Sequence, residues 1–137
     1  LKFENIVKQS FGTSPVYPII NIDKIIDINN IDNKLFRILE QFAPFGPKNR
    51  RPIFASYNLL ANASARKIGN EKAHLKFNIK RNKNQDISAI GFNMGSFLDV
   101  VNNNQFFDAC YTIDLNKWKG NFSLQMKLRD LKHKSNS

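Results

Sequence analysis

From Ile53 to Leu131 apolar residues recur with a period of two, and this alternation restricts the chain more than any other feature. Successive side chains of a β-strand point to opposite faces, so polar–apolar alternation marks strands with one face on a core and one in solvent. The stretch His74–Lys80 is the clearest instance: Leu75, Phe77 and Ile79 share one face, and His74, Lys76, Asn78 and Lys80 share the other. On the same basis Ile53–Lys67 reads as one long or bent strand and Ile87–Phe92 as a short buried strand. Phe107–Leu115 reads as a strand facing inward through Phe107, Ala109, Tyr111, Ile113 and Leu115. Phe122–Leu131 faces inward through Phe122, Leu124, Met126 and Leu128, and outward through Ser123, Gln125, Lys127 and Arg129. Gly95–Val101 switches to helical spacing, with Phe97, Leu98 and Val101 inward. Asn82–Gln85 and Asn116–Asn121 are polar turns, the second containing Gly120.

Five strands with a helix between the third and fourth is the connectivity of an OB-type barrel, a partly open Greek key. The expected fold class is therefore mainly β: a five-stranded OB-type barrel with one short helix, preceded by a short α/β segment. In that segment Phe3, Ile6, Val7 and Phe11 are spaced as a helix over Leu1–Phe11, which Gly12, Ser14 and Pro15 end. Tyr17–Ile22 reads as a short strand and Asn30–Asp32 as a helix cap. Leu35, Phe36, Leu39 and Phe42 form one face of a helix from Asn33 to Phe42, stopped by Pro44, Gly46 and Pro47. The expected organisation is a leading segment 1–47, a barrel domain 48–132 and a disordered tail 133–137. The opening at Leu1, read as mid-helix, suggests a piece of a longer protein.

Charge divides the chain at the same place. Residues 1–47 hold five basic and five acidic side chains, whereas residues 48–137 hold sixteen basic and six acidic. The whole formal charge of +10 therefore belongs to residues 48–137, which points to a polyanionic partner; a merely solvated basic exterior is the plainer reading. The polar faces carry Lys76 and Lys80 on the second barrel strand and Lys127 and Arg129 on the fifth; Arg66 and Lys67 sit late on the first, with Arg50 and Arg51 just before it. A groove lined in this way can track a phosphate backbone, because neutralising phosphates releases counterions. Tyr57, Phe106 and Trp118 fall near strand ends or turns, where an aromatic either stacks on a base or completes the core.

Catalysis finds little support in these residues. The two histidines, His74 and His133, and the single cysteine, Cys110, are not spaced as a metal site; a nucleophile–base pair of Cys110 with His74 stays open to the sequence, against which Cys110 reads as a small residue opposite the main core face. Gly91 and Gly95 are too sparse for a phosphate loop, and one cysteine allows no internal disulfide. There is no apolar run long enough to cross a membrane and no signal peptide, and the lone thiol fits a reducing cytoplasm.

The segment FAPFGPKNRRP at Phe42–Pro52, followed by Phe54, resembles the LxPFGxGNxxPxF signature of the RecJ single-strand-specific exonucleases, where it joins the DHH-associated domain to the OB domain. Matches follow in order at His74–Lys76 (HLK), Ala89–Gly95 (AIGFNMG), Phe107–Tyr111 (FDACY) and Asn116–Asp130 (NKWKGNFSLQMKLRD). Upstream, PIINIDKIIDINNID resembles the PxIxIDxEIxL segment that ends the DHH-associated domain. Lys48 departs from the pattern, which usually has Gly there. The resemblance implies a parent that degrades single-stranded DNA from the 5′ end, with Mn2+ or Mg2+ held by Asp and His of DHH motifs. Neither those motifs nor the GGH motif occurs here, so no catalytic residue and no cofactor carries over. What carries over is a cytoplasmic OB domain that grips single-stranded DNA in recombination and repair. Lys76, Lys80, Lys127, Arg129, Arg66, Lys67, Arg50 and Arg51 are the candidate phosphate contacts, and Trp118 and Tyr57 the candidate stacking residues. The rival is a protein-interaction module docking on the catalytic domains of the same parent chain or on a single-strand-binding protein. An independent hydrolase is a third class, which activity of the chain by itself would reveal. The PFG motif itself reads as structural: its prolines stiffen the linker, Gly46 turns it and Phe45 packs at the junction.

Overall fold

The computed structural model describes residues 20–46, 49–62, 64–82, 85–102 and 104–134 of the 137, and of Trp118 the backbone alone. The expected helix Leu1–Phe11, most of the expected strand Tyr17–Ile22 and positions 135–137 lie outside the described residues.

Alternation gives way to strands where it was read. β2 (Phe54–Leu59), β3 (Arg66–Ile68), β4 (His74–Ile79), β5 (Ile87–Gly91), β6 (Phe107–Trp118) and β7 (Asn121–His133) join a short β1 (Lys24–Ile25) in one sheet, ordered β1-β2-β6-β7-β5-β4-β3. β1 with β2 and β5 with β7 run parallel; the other neighbours are antiparallel. Among the described residues two α-helices interrupt the strands, α1 (Asn33–Glu40) and α2 (Leu98–Val101), the latter led in by a 3₁₀ turn at Gly95–Phe97. Asp32 caps α1, its carboxylate accepting the Leu35 N–H at 2.8 Å.

The chain is mainly β, but the five-stranded barrel is corrected to a seven-stranded sheet with an open strand order. The first expected strand is two strands. At Asn58 the backbone enters the left-handed region (φ 58), and the β2–β6 register shifts between Ser56 and Leu59. The fully buried Asp108 carboxylate holds that bend by accepting the Asn58 N–H at 3.0 Å. Beyond the bend the chain reaches the end of β4. Lys80 N–H donates to the Leu60 carbonyl at 2.8 Å, Asn62 N–H donates to the Asn78 carbonyl at 2.9 Å, and Ala61 bridges Ile79. The sheet is therefore curled, and its concave side holds the core.

That core contains Leu75, Phe77, Ile79, Ile87, Ala89, Phe107, Ala109, Tyr111, Ile113, Met126, Leu128 and Leu131. Phe77 and Phe107 meet edge to face at 5.8 Å, an arrangement that suits the ring quadrupoles. Phe36 and Leu39 of α1 and Val101 of α2 complete it. Phe42, expected on the inner face of the first helix, lies past its end and is exposed. Leu115 and Phe122, both expected inward, are exposed as well. The cause is the hairpin: β6 and β7 turn through Lys119 and Gly120 alone, both at positive φ, so their ribbon runs on past the core. β7 also continues through His133, which was read as tail.

A second, smaller core lies on the opposite face of β2 and β6, where Ile22 and Ile53 pack on Ala55 and Cys110, flanked by Ile20 and Ile25. Asp23 N–H donates to the Ile53 carbonyl and Ile26 N–H to the Ala55 carbonyl, while the Asp23 carboxylate accepts the Ile53 N–H at 2.8 Å. The Ser56 hydroxyl donates to the Ile26 carbonyl at 2.7 Å, so the buried Tyr111 hydroxyl, 2.7 Å away, donates to Ser56. The leading segment is thus bonded along the β2 edge of the sheet, with Ile22 in the second core and Ile26 packed against the main one.

Candidate nucleic-acid interface

The strand registers line up side chains that lie far apart in sequence. Arg66 pairs with Lys76, Lys76 with Ile90, Ile90 with Lys127, and Lys127 with Thr112. Leu75, Phe77, Ala89, Met126 and Ile113 are buried on the concave side, so alternation sends this row of five to the convex, outer face. Neighbouring strands lie about 4.8 Å apart, which puts Lys76 and Lys127 roughly 10 Å apart at the backbone. In the adjoining row Gln125 donates to the Ser88 hydroxyl at 3.2 Å, giving a polar strip beside the basic one.

Past Thr112 the row runs into a cleft of about 380 Å³ lined by Phe45, Gly46, Arg50, Arg51, Ile53, Thr112 and Arg129. Arg129 reaches it because the β6–β7 register shifts between Cys110 and Tyr111. Leu128 and Leu131 remain buried while Arg129 and Asp130, the two residues between them, are not. The PFG motif builds the other wall. The Asn49 side-chain amide donates to the carbonyls of Phe42 (2.5 Å) and Pro44 (2.9 Å), and Gly46 and Asn49 exchange backbone hydrogen bonds.

These cations are not equally available. Arg51 lies over the Phe45 ring at 4.6 Å, 3.6 Å from Asp114, 3.9 Å from Glu40 and 3.5 Å from the Ile113 carbonyl, and so acts as a clamp between the motif and β6. Lys127 pairs with Asp114 at 3.1 Å. Burial alone would raise the Asp114 carboxyl; hydrogen bonds from the Leu115 N–H and Lys127, with the charges of Arg51 and Lys127, outweigh it and hold the group below the usual carboxylate range. An exposed pair of this kind contributes ~0–1 kcal/mol, little enough for a phosphate to displace the carboxylate. Arg50, Arg66, Lys76 and Arg129 have no ion pair among the described residues.

Two expected contacts stand apart from the row. Lys67 pairs with the buried Leu75, and so points away from Arg66 and Lys76. Lys80 is exposed beyond β4, on a different cleft of about 710 Å³ that it shares with Tyr57, Phe106 and Arg81. Tyr57 is half-buried there with its hydroxyl enclosed. Arg81 is a brace: it donates to the carbonyls of Ile31 (2.7 Å) and Gln85 (2.7 Å). The Trp118 backbone ends β6 at the hairpin, and its side chain lies outside the described residues. Phe92, absent from the expected set, is 55% exposed and follows Ser88 and Ile90 in the outward phase of β5. The run Ile87, Ala89, Gly91 as the inner phase was the available signal for it.

The residues weighed for catalysis do not meet. His74 Nδ1 accepts the Asn93 N–H at 2.9 Å, whereas Cys110 is sealed in the second core. Burial, with the nearby Asp130 carboxylate, pushes the Cys110 thiol from 9.0 up to about 12. A maleimide at pH 8 is therefore expected to spare Cys110 in the folded chain and to label it once the chain is denatured; rapid labelling of the native chain would contradict the burial. The unfolded chain releases this proton near pH 9.0 and the folded chain keeps it to about 12, so stability declines as pH rises between those values and is unaffected below them. Among the described residues no three His, Cys, Asp or Glu side chains converge on a metal site, and no helix is long and apolar enough to cross a membrane.

Residues 22–130 match the family model described as the RecJ OB domain. The single-stranded-DNA-specific exonuclease RecJ of Bacillus subtilis (strain 168) is 24% identical over 113 residues, which cover 82% of this chain and 14% of that protein. RecJ from Thermus thermophilus superposes in its Mn2+ complex with a TM-score of 0.61 at 20% identity, over 87% of this chain and 17% of that one. Its Mg2+ complex gives 0.60 at 21% identity, over 88% and 18%. At such identities the structures establish a shared fold, and the chain spans less than a fifth of the relatives it matches.

Proposed function

The chain belongs to the RecJ OB domain family, and on that premise we propose that its convex face binds single-stranded DNA on behalf of a RecJ-like 5′-to-3′ exonuclease acting in recombination and repair in the cytoplasm. The observation that carries this reading is the row Arg66–Lys76–Ile90–Lys127–Thr112 leading into the Arg50 and Arg129 cleft. The row crosses five strands, roughly 19 Å at the strand spacing, with basic side chains on three of them and Arg50 and Arg129 at its end, wide enough to follow several phosphates of one strand. In this reading Mn2+ or Mg2+ belongs to the catalytic domains of the parent. Residues 1–47 are the end of its DHH-associated domain with a linker helix, and residues 48–132 are the DNA-gripping unit.

A second reading draws on a different surface. Ile38, Phe42, Leu115 and Phe122 are exposed apolar side chains on α1, just past it, and on the β6–β7 ribbon. They favour docking on the parent's catalytic domains or on a single-strand-binding protein.

Fluorescence anisotropy of a labelled single strand across a salt series, with a duplex of equal length beside it, separates the two. Single-strand binding should weaken with a log–log salt slope of about −3, at ~0.7 per phosphate contact for four or so contacts. Absence of binding at low salt, or equal affinity for the duplex, would leave docking as the role of this domain.

A further inference from the structure

We propose that Phe92, backed by His74, is a stacking seat for one unpaired nucleobase at the edge of the basic row; the proposal rests on the single-strand-binding reading above. Phe92 is a large apolar side chain exposed by 55% on the face that carries Arg66, Lys76 and Lys127. His74 lies two residues before Lys76 on β4, about 7 Å along the strand, and its ring meets that of Phe92 at 5.4 Å and 77°, edge to face. The base seat therefore adjoins a phosphate contact at roughly one strand-repeat's distance.

The ring is held in place before any ligand arrives. Asn93 takes a positive φ of 59° and donates its N–H to His74 Nδ1 at 2.9 Å, fixing the imidazole beside Phe92. Met94 N–H returns to the Gly91 carbonyl at 3.3 Å, and Gly95 N–H donates to the Ala73 carbonyl at 2.8 Å. A Cβ at Gly95 would stand 2.6 Å from the Lys72 carbonyl oxygen, and one at Gly91 2.7 Å from the Met94 sulfur. The turn is thus pressed against the approach to β4, and an aromatic presented from such a frame loses little freedom on binding.

Of the other exposed aromatics, Phe106 and Phe122 differ from Phe92 in one respect, and Phe42 follows α1 rather than a strand of the row. Phe122 lies under the Lys117 ammonium at 5.5 Å and Phe106 under that of Lys134 at 5.4 Å, whereas no described cation covers Phe92. More than half of the Phe92 surface is left to solvent. Because every base has a π-face, the seat accepts any of them and adds affinity without reading sequence.

The test compares a twelve-nucleotide oligothymidine with an abasic deoxyribose-phosphate strand of the same length, which keeps the phosphates and lacks the bases. Phe92→Leu, which retains apolar bulk, should lose about tenfold in affinity for the oligothymidine, leave the abasic strand unchanged and preserve the salt slope. Phe92→Tyr should bind both strands as the parent sequence does, and thermal melts should show both variants folded. An equal loss of both strands, or no loss of either, in the folded Leu variant would overturn the stacking seat while leaving the basic track standing. Failure of the unaltered chain to bind either strand would overturn both together.

Discussion

Replacing Arg50, Arg66, Lys76 and Arg129 together by alanine is expected to cut affinity for single-stranded DNA by about two to three orders of magnitude near 0.1 M salt. The size of the effect follows from counterion release. Each phosphate contact on a single strand contributes ~0.7 to the salt slope, which one decade below 1 M salt amounts to about fivefold, and four contacts compound to roughly 600-fold. The slope should flatten by about 3 units in the same experiment. None of the four side chains is buried among the described core and none holds an ion pair there, so the melting temperature should shift little. A variant that keeps its affinity while remaining folded would remove DNA binding from this face.

Phe77→Ala separates stability from binding in the opposite direction. The ring is 1% exposed, lies in the middle of β4 and packs against Phe107. Truncating a buried phenylalanine costs ~3–5 kcal/mol through lost transfer energy and the cavity left behind. That is a large part of the ~5–15 kcal/mol by which domains of this size are stable, and it corresponds to a fall of roughly 10–20 °C in melting temperature. Calorimetry or chemical denaturation reads it directly. A cost under about 1 kcal/mol would mean that the concave side of the sheet is not the core.

The sequence was most legible where one residue in two meets the core. His74–Ile79 and β5 alternate as read, whereas in the first half of β6 the residues between the inward ones, Asp108, Cys110 and Thr112, are buried as well. Alternation assigns a face, however, and not a neighbour. It placed Lys76 and Lys127 outward, as they are, but that they share a row with Arg66 depends on strand pairing between residues as far apart as Ile90 and Lys127. For the same reason it could not remove Lys67, whose partner turns it to the other side, or Lys80, which has left the strand before its side chain could join the row. Arg51 reads as a phosphate ligand until Asp114 and Glu40 are brought to it from elsewhere in the chain.

Local irregularities account for the rest. The bend at Asn58 is fixed by a carboxylate fifty residues away, so nothing in Ile53–Lys67 itself announces two strands. The β6–β7 turn is tight although Asn116 and Lys117 are polar, because a ribbon beyond the core no longer needs apolar residues on either side. β1 is only two residues long and runs parallel to β2, too short for any period to show.

Residues 22–26 act on the domain as a splint rather than a tether. Backbone bonds from Asp23 and Ile26, the Ser56–Tyr111 hydroxyl pair and the apolar contacts of Ile22 fasten the strip at several points along β2, so it cannot swivel against the sheet without breaking all of them. A load drawn along the outer row runs across the strands, so it passes from β6 through β2 to this strip along the interstrand hydrogen bonds, and the strip's side-chain bonds and apolar contacts share it with them. The attachment thereby sets the domain's bearing, and a strand held on the convex face would keep a fixed heading relative to the chain that enters at Ile22.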